Sequence, residues 1–374
     1  MIGWTMCSGI GAPEVAAPWM DWRLASEIEN FPRAVLQERF GYKLPDDHNQ
    51  GDPLLWADMT EVTPELARSR GVPLPDVLVA GTPCQAFSVA GLRKGTEDLR
   101  GNLTLKFVET CHAIVDARPD AKLAVLWENV PGVLSDKGNA FGCFLGGLVG
   151  ADDALLSPDG GSWPGVGMVS GPRSRVAWRV LDAQYFGVAQ RRRRVFVVVD
   201  FGGAVDPAAV LFERQGLRGN TAPSRSTGKS PAGTVTTRTC RSVGAQDAAE
   251  EHLIQTFDRQ SQDEYGTAPV ASTCSARDYK SATDLVTHSL RGEGFDAIED
   301  GTGRGTPIVA NGYAVRRLTP GECHSLQGFP QGHCAITYRN KPAADGPQYK
   351  ALGNSMAVPV IKWIMDRMKT SMDD

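Results

Sequence analysis

Short, almost uninterrupted apolar runs recur through the first 200 residues, and stretches with helical spacing lie between them. Residues 2–6, 76–80 (DVLVA), 123–127 (LAVLW) and 195–200 (VFVVVD) are strand-length and lack the polar alternation of a half-exposed strand, and residues 22–26 suit a further strand ending at Glu27. Strands of that kind are buried on both faces, which calls for a mostly parallel sheet with helices on each side. The intervening segments fit this reading. Pro13 is suited to open a helix over 13–20. A helix follows over about 31–40. Residues 102–117 carry Leu105, Val108, Cys111, Ile114 and Val115 at helical spacing. Residues 174–183 are also expected to be helical.

The texture changes after residue 200. Residues 201–312 are rich in Thr, Ser, Gly and Arg, with short strand-like pieces such as Thr234–Thr237 and Pro269–Thr273. An echo between AGTVTTRT (232–239) and APVASTCS (268–275) suggests duplicated hairpins in a small irregular β domain. Definite pattern returns at 313–331, and 357–369 has the spacing of a terminal helix. The expected organisation is therefore 1–200 as an α/β domain, 201–312 as an insert, and 313–374 as a return to the first domain.

Charge and cysteine usage narrow the class of protein. The formal net charge of -4 excludes a uniformly basic nucleic-acid coat. It leaves open a protein with a local basic surface, and residues 173–194 hold seven arginines against the single acid Asp182. The eight cysteines include no CxxC, and the Cys–His pairs lack zinc-knuckle spacing, so no metal is expected. No apolar run approaches the length of a membrane span. A reducing cytoplasmic setting with free thiols is the natural expectation.

Three groups of residues lie where an open α/β sheet places ligands, beyond the carboxyl ends of strands. Ser8-Gly9-Ile10-Gly11 follows the first strand, where glycines let a turn approach a ligand closely, and Glu27 ends the second strand, placed to hold ribose hydroxyls. The turn lacks a full GxGxxG and any basic residue for a pyrophosphate. Gly81-Thr82-Pro83-Cys84 follows the DVLVA strand, and Cys84 is a potential thiolate nucleophile. Glu128-Asn129-Val130-Pro131 follows the LAVLW strand; neighbouring strands would bring Glu128 and Cys84 to one pocket. Gln190-Arg191-Arg192-Arg193-Arg194 enters the last strand, and alternation points Arg192 and Arg194 to one side.

Taken in order, these motifs resemble those of the DNA (cytosine-5)-methyltransferases. SGIG resembles their first cofactor motif, PCQ carries their catalytic cysteine, ENV their glutamate, and QRRRR their QxRxR element. Arg317-Leu318-Thr319-Pro320-Gly321-Glu322, with Leu326-Gln327-Gly328-Phe329-Pro330, resembles RxLTPxE…LQGFP, and Gly353-Asn354-Ser355-Met356-Ala357-Val358-Pro359-Val360 resembles GNSxxxPV. The resemblance implies a Rossmann-like S-adenosylmethionine-dependent domain and a β-rich target-recognition domain at 201–312. It implies S-adenosyl-L-methionine as cofactor, with S-adenosyl-L-homocysteine as product. The cofactor pocket would comprise Cys7, Ser8, Gly9, Ile10, Gly11, Glu27, Ile28, Asp58, Met59, Asn354 and Ser355. Cys84 would be the nucleophile, Glu128 its partner at cytosine N3, and Arg194 the base-orienting cation. Arg192 would share that role or hold the Cys84 loop. Double-stranded DNA would be the partner of a monomeric enzyme, with the target cytosine flipped out of the helix.

Two departures stand out. Cys7 occupies a position that is often phenylalanine in this family, with Met6 or Trp4 as apolar substitutes, and Ala12 replaces a frequent glycine. The loop 91–102, with Arg93, Lys94 and Arg100, is suited to close over DNA. Gln85 and Ser88 are candidates for backbone contacts, and Arg225, Lys229, Arg238, Arg241, Arg277 and Lys280 for base or phosphate contacts. An RNA cytosine-5 methyltransferase, a catalytically silent DNA-binding relative, and transfer of a group other than methyl remain the alternatives.

Overall fold

The computed structural model describes residues 1–83, 103–118, 122–212, 256–261, 264–268, 308–311 and 314–373. An eight-stranded sheet organises it, in the order β3-β2-β1-β4-β5-β8-β7-β6. The strands are β1 Ile2–Met6, β2 Asp21–Ser26, β3 Leu54–Trp56, β4 Val77–Ala80, β5 Leu123–Asn129, β6 Val166–Ser170, β7 Arg175–Asp182 and β8 Arg193–Phe201. The first five are parallel. The last three form an antiparallel meander joined to β5 through β8.

The buried strands divide the core into two layers. Val77 and Val79 of β4 face one cluster, while Leu78 and Ala80 face the other. On the first face lie α1 (Ala12–Ala16), α2 (Asn30–Phe40), and α9 (Val358–Asp373), whose Ile361, Ile364 and Met365 are fully buried. The second face is covered by α4 (Leu103–Asp116) and α5 (Ala140–Val149), through Phe107, Phe141 and Phe144. Between them, α3 spans Pro64–Ser69, α6 Pro207–Leu211, α7 Pro320–Gln327 and α8 Asp345–Asn354.

Several elements depart from expectation. Residues 175–182 form β7 and not a helix. Val176, Ala177, Val180 and Leu181 satisfy helical spacing, but the same positions serve a strand equally well. Val176, Trp178 and Val180 face one core layer, and Ala177 and Leu181 the other. β-branched and aromatic side chains favour that choice. The first helix ends at Ala16, with Ala17 as its cap, because Pro18 cannot continue the ladder. Strands β3 and β6 were not anticipated. Residues 201–212 remain with the large domain: β8 runs to Phe201, and Val210 and Leu211 of α6 are fully buried in the core.

After residue 212, β9 (Thr256–Ser261) pairs with β10 (Glu264–Ala268), and β11 (Ile308–Asn311) with β12 (Ala314–Arg317), each antiparallel. A short hairpin, β13 (Thr337–Tyr338) and β14 (Lys341–Pro342), follows later. Thr234–Thr237, Pro269–Thr273 and the six basic candidates from Arg225 to Lys280 lie outside the described residues, as do Cys84, Gln85, Ser88 and the loop 91–102. No described helix is long and apolar enough to cross a membrane.

Candidate active site

The strand order reverses between β1 and β4, and ligands in open sheets bind outside the carboxyl ends at such a point. A pocket opens there. Cys7, Ser8, Gly9, Gly81, Glu128 and Ser355 line it, with Ala12, Pro13, Asn354 and Met356 completing its wall. Six of the expected site residues are thus brought together directly.

The glycine turn is held by a buried polar lattice. Ser8 N–H donates to Ser26 O at 3.0 Å, and Ser26 N–H returns a bond to Ser8 Oγ at 3.1 Å. Gly9 N–H donates to Glu27 Oε2 at 2.8 Å, while Glu29 N–H donates to Oε1 at 2.8 Å. Gly9 (φ +57°) would have nothing within 4 Å of an added Cβ, so open space adjoins its backbone. Gly11 (φ +82°) is forced instead by packing: a Cβ would meet the Phe40 ring at 2.3 Å. Burial pushes the Glu27 carboxyl above its ordinary range, and its two N–H donors partly offset this. Ile10 is fully buried in the core, so it shapes the turn from behind.

Cys7 takes a left-handed backbone conformation at φ +50° and places Sγ 3.3 Å from Met59 Sδ. Burial, reinforced by the charges of Glu27 and Asp58, pushes its thiol to about 12, so it is no nucleophile at neutral pH. Trp4 and Met6 are fully buried in the core, and neither replaces the expected aromatic at position 7. The exposed apolar side chain beside Glu27 is Ile28, at 71%. Asp58 caps the following turn, accepting from Thr60 N–H and Oγ1–H at 2.8 Å each.

Across the pocket, Arg194 Nε stands 3.1 Å from Glu128 Oε1. Glu128 makes no aligned hydrogen bond through that oxygen, so the contact is an ion pair. Both side chains are largely buried, at 11% and 19% exposure for Glu128 and Arg194. Strand register explains the meeting. Asn129 pairs with Val195, so Arg194 projects from the end of β8 beside the end of β5. Arg192 serves differently. Its guanidinium donates to Gly353 O at 3.1 Å and Ser355 O at 2.7 Å, fastening the GNS segment to the arginine run. Burial first, then the neighbouring Arg194, lowers its pKa to about 10.

β4 and β5 are direct neighbours, with Ala80 opposite Trp127. The chain leading to Cys84 is tethered to β5 by residues that were given no role from the sequence. Asn129 Nδ2–H donates to Thr82 O at 3.0 Å, and Trp127 Nε1–H to Thr82 Oγ1 at 2.9 Å. A Cβ on Gly81 would lie 3.7 Å from Glu128 Oε2. The only hint in the sequence was that Asn129 directly follows the glutamate.

The model of the C-5 cytosine-specific DNA methylases matches residues 7–148 and 213–370. The chain belongs to that family. Among its relatives, "DNA N-6-adenine-methyltransferase" of Escherichia phage P1 is 39% identical over 467 aligned positions, covering 97% of this chain and 60% of that protein. This chain therefore spans under two thirds of the phage protein's length. Type II methyltransferase M.HpaII of Haemophilus parainfluenzae is 28% identical over 300 positions, covering 77% of this chain and 70% of that one. Among solved structures, the Entamoeba histolytica methyltransferase EhMeth aligns over 100% of this chain and 99% of its own, with TM-score 0.57 and 14% identity. S. pombe Dnmt2 methyltransferase aligns over 100% of both chains, with TM-score 0.55 and 12% identity. At such identities the likeness concerns the fold.

Proposed function

We propose that this family member methylates C5 of cytosine in duplex DNA, using S-adenosyl-L-methionine and a covalent Cys84 adduct. The observation that carries this reading is the Glu128–Arg194 pair, seated at the pocket edge beside the strand that leads to Cys84. The turn at the pocket, with the residues beside it, suits the cofactor. Space adjoins the Gly9 backbone, Glu27 offers a buried carboxylate at the turn, and Ile28 offers an apolar surface next to it. Ser8, Gly9, Glu27, Ile28 and Ser355 would hold it, and when bound it supplies a methyl group activated by a sulfonium.

C5 of cytosine is a poor nucleophile, so the chain must first activate the ring. The Cys84 thiolate adds to C6, breaking the C5–C6 double bond and building electron density at C5. Glu128 at N3 offsets the negative charge that develops there, sharing a proton with the ring nitrogen. Arg194 holds the Glu128 carboxylate and orients the base through O2. After C5 is methylated, a base takes its proton, the electron pair left behind re-forms the C5–C6 double bond, and Cys84 departs as thiolate, restoring aromaticity. The target atom is stacked inside a duplex, so the base is flipped into this pocket, and the segment between residue 212 and residue 313 selects the sequence.

The name of the phage relative supplies a second reading, methylation of adenine N6. An exocyclic amine attacks through its own lone pair and has no need of a thiol adduct or of an acid at N3. Purified protein, labelled S-adenosyl-L-methionine and unmethylated duplex DNA, followed by nucleoside analysis, decides between them. Label in 5-methylcytosine is expected. Label in N6-methyladenine overturns the reading, and label only in a parallel structured-RNA reaction overturns the substrate. Failure of a duplex with 5-fluorocytosine at an otherwise cognate target site to trap the protein, with S-adenosyl-L-methionine present, would favour the silent DNA-binding alternative.

A further inference from the structure

Two buried histidines stand apart from the proposed chemistry, His324 within α7 and His333 in the turn that follows it. His324 Nδ1 is 2.6 Å from Pro320 O, and its Nε2 is 2.9 Å from the Cys334 amide nitrogen. An amide N–H must donate, so Nε2 accepts, the proton sits on Nδ1, and the ring is neutral. His333 is 5% exposed, and its Nε2 lies 2.7 Å from Ile10 O in the glycine turn, 323 residues away in sequence. A carbonyl can only accept, so His333 Nε2–H is the donor.

The surroundings fix this donor tightly. The His333 ring stacks on Phe329, with centroids 4.7 Å apart at 30°, and meets Phe40 at 5.8 Å. Phe40 is also the ring against which Gly11 packs. Arg39 donates to the carbonyls of Gly332, His333 and Ala335 at 2.7, 2.8 and 3.2 Å. At the turn itself, Gly11 N–H donates to Ser8 O at 3.1 Å. The Ile10 carbonyl and the Gly11 N–H belong to one peptide unit, which is therefore pinned at both ends.

We propose that His333 is a positioning residue for the cofactor: its Nε2–H locks the Ile10–Gly11 peptide and so presets the Ser8–Gly11 turn before ligand arrives. The inference rests on the reading that this turn binds S-adenosyl-L-methionine. A phenylalanine would fill the same aromatic slot, so packing alone does not require a donor here. Burial pushes His333 down to about 4 against the opposing pull of its bond to Ile10 O, and Arg39 and His324, the charged and titratable groups that face the ring, push the same way as burial. The donor tautomer is thus the neutral one at physiological pH.

The test is calorimetric titration of the full-length protein with S-adenosyl-L-methionine, paired with kcat at saturating cofactor and a thermal melt. His333→Phe keeps the stack and removes the donor. It should weaken cofactor binding by about five- to tenfold, the loss of one neutral buried hydrogen bond, while kcat and DNA affinity stay near the parent's. His333→Gln, which retains an N–H donor, should recover most of that loss. Parent-like affinity in a folded His333→Phe protein overturns the proposal. If that variant does not fold, Arg39→Met decides: it loosens the same clamp from the surface, and unchanged affinity overturns the proposal while a severalfold loss supports it. No binding by the parent would remove the cofactor reading itself.

Discussion

The two halves of the sheet deliver side chains to one edge in opposite ways. In the parallel half, the site residues sit at or just past the carboxyl ends of their strands: Ser8 after β1, Glu27 after β2, Asp58 after β3, and Glu128 in the last two residues of β5. In the antiparallel half, β8 runs the other way, so groups at that edge must precede the strand or open it. Arg192 and Arg194 do so. A site assembled from both halves joins backbone turns on one side to side-chain cations on the other. The lesson is that strand direction, not only strand order, decides which end of an apolar run carries chemistry.

The largest effect should come from the parallel half. Cys84→Ser is expected to lower turnover by at least about a thousandfold, because a serine hydroxyl is a far weaker nucleophile than a thiolate. DNA affinity should stay within a few fold, measured by gel shift alongside single-turnover rates. Near-parent turnover would show that the nucleophile lies elsewhere. On the antiparallel side, Arg194→Gln leaves Glu128 without its ion-pair partner. A rate loss of about one hundredfold is expected, comparable to removal of one transition-state electrostatic group. Glu128→Gln should fall in the same range. If Arg194→Gln turned over like the parent, the two halves would not share one site.

Arg192 sharpens the comparison further, since its guanidinium donates to two carbonyls of the GNS segment. Arg192→Met strips the donors from Gly353 O and Ser355 O, both buried. About a tenfold rise in KM for the cofactor is expected, with a fall of several degrees in Tm and a smaller change in kcat. A kcat loss equal to that of Arg194→Gln, with KM unmoved, would assign Arg192 to the chemistry.

The same comparison explains what was legible in the sequence. Strands buried on both faces read as near-continuous apolar runs whichever way they run, so the parallel β1, β4 and β5 and the antiparallel β8 stand out, and the motifs at their ends stand out with them. The antiparallel β7 has polar and apolar positions on both faces, and Val176/Val180 with Ala177/Leu181 imitate a helix. β6 was hidden because Val166 and Met168 remain exposed at the sheet edge, so no burial pattern marks it. Within the site, the ends of motifs were visible, but their tethers were not. Asn129 holding Thr82 O, and His333 holding Ile10 O, depend on strand pairing and on contacts between distant segments.

A last expected effect, on stability and not on turnover, lies beneath the glycine turn, at Glu14. Thr5 Oγ1–H and Tyr42 O–H both approach Glu14 Oε1 at 3.0 Å, and Thr5 Oγ1 is 2.7 Å from Ser8 Oγ. Burial pushes the Glu14 carboxyl to about 7 from the model-peptide 4.5, against the opposing pull of these hydroxyls. The folded protein thus holds this proton more tightly than the unfolded chain does. Its contribution is fully present below about pH 4.5 and is lost as pH rises through 7, with a ceiling of about 3 kcal/mol. Protonated Glu14 can also donate to Thr5, which frees the Thr5 proton for Ser8 Oγ and the Ser8 proton for Ser26 O. Glu14→Gln mimics that neutral state. Denaturant unfolding at pH 5 and pH 8 should therefore show the parent losing more stability than the variant across that interval. Equal losses in the two proteins would mean that Glu14 ionises as readily in the fold as outside it, and that the lattice under Ser8 does not depend on its proton.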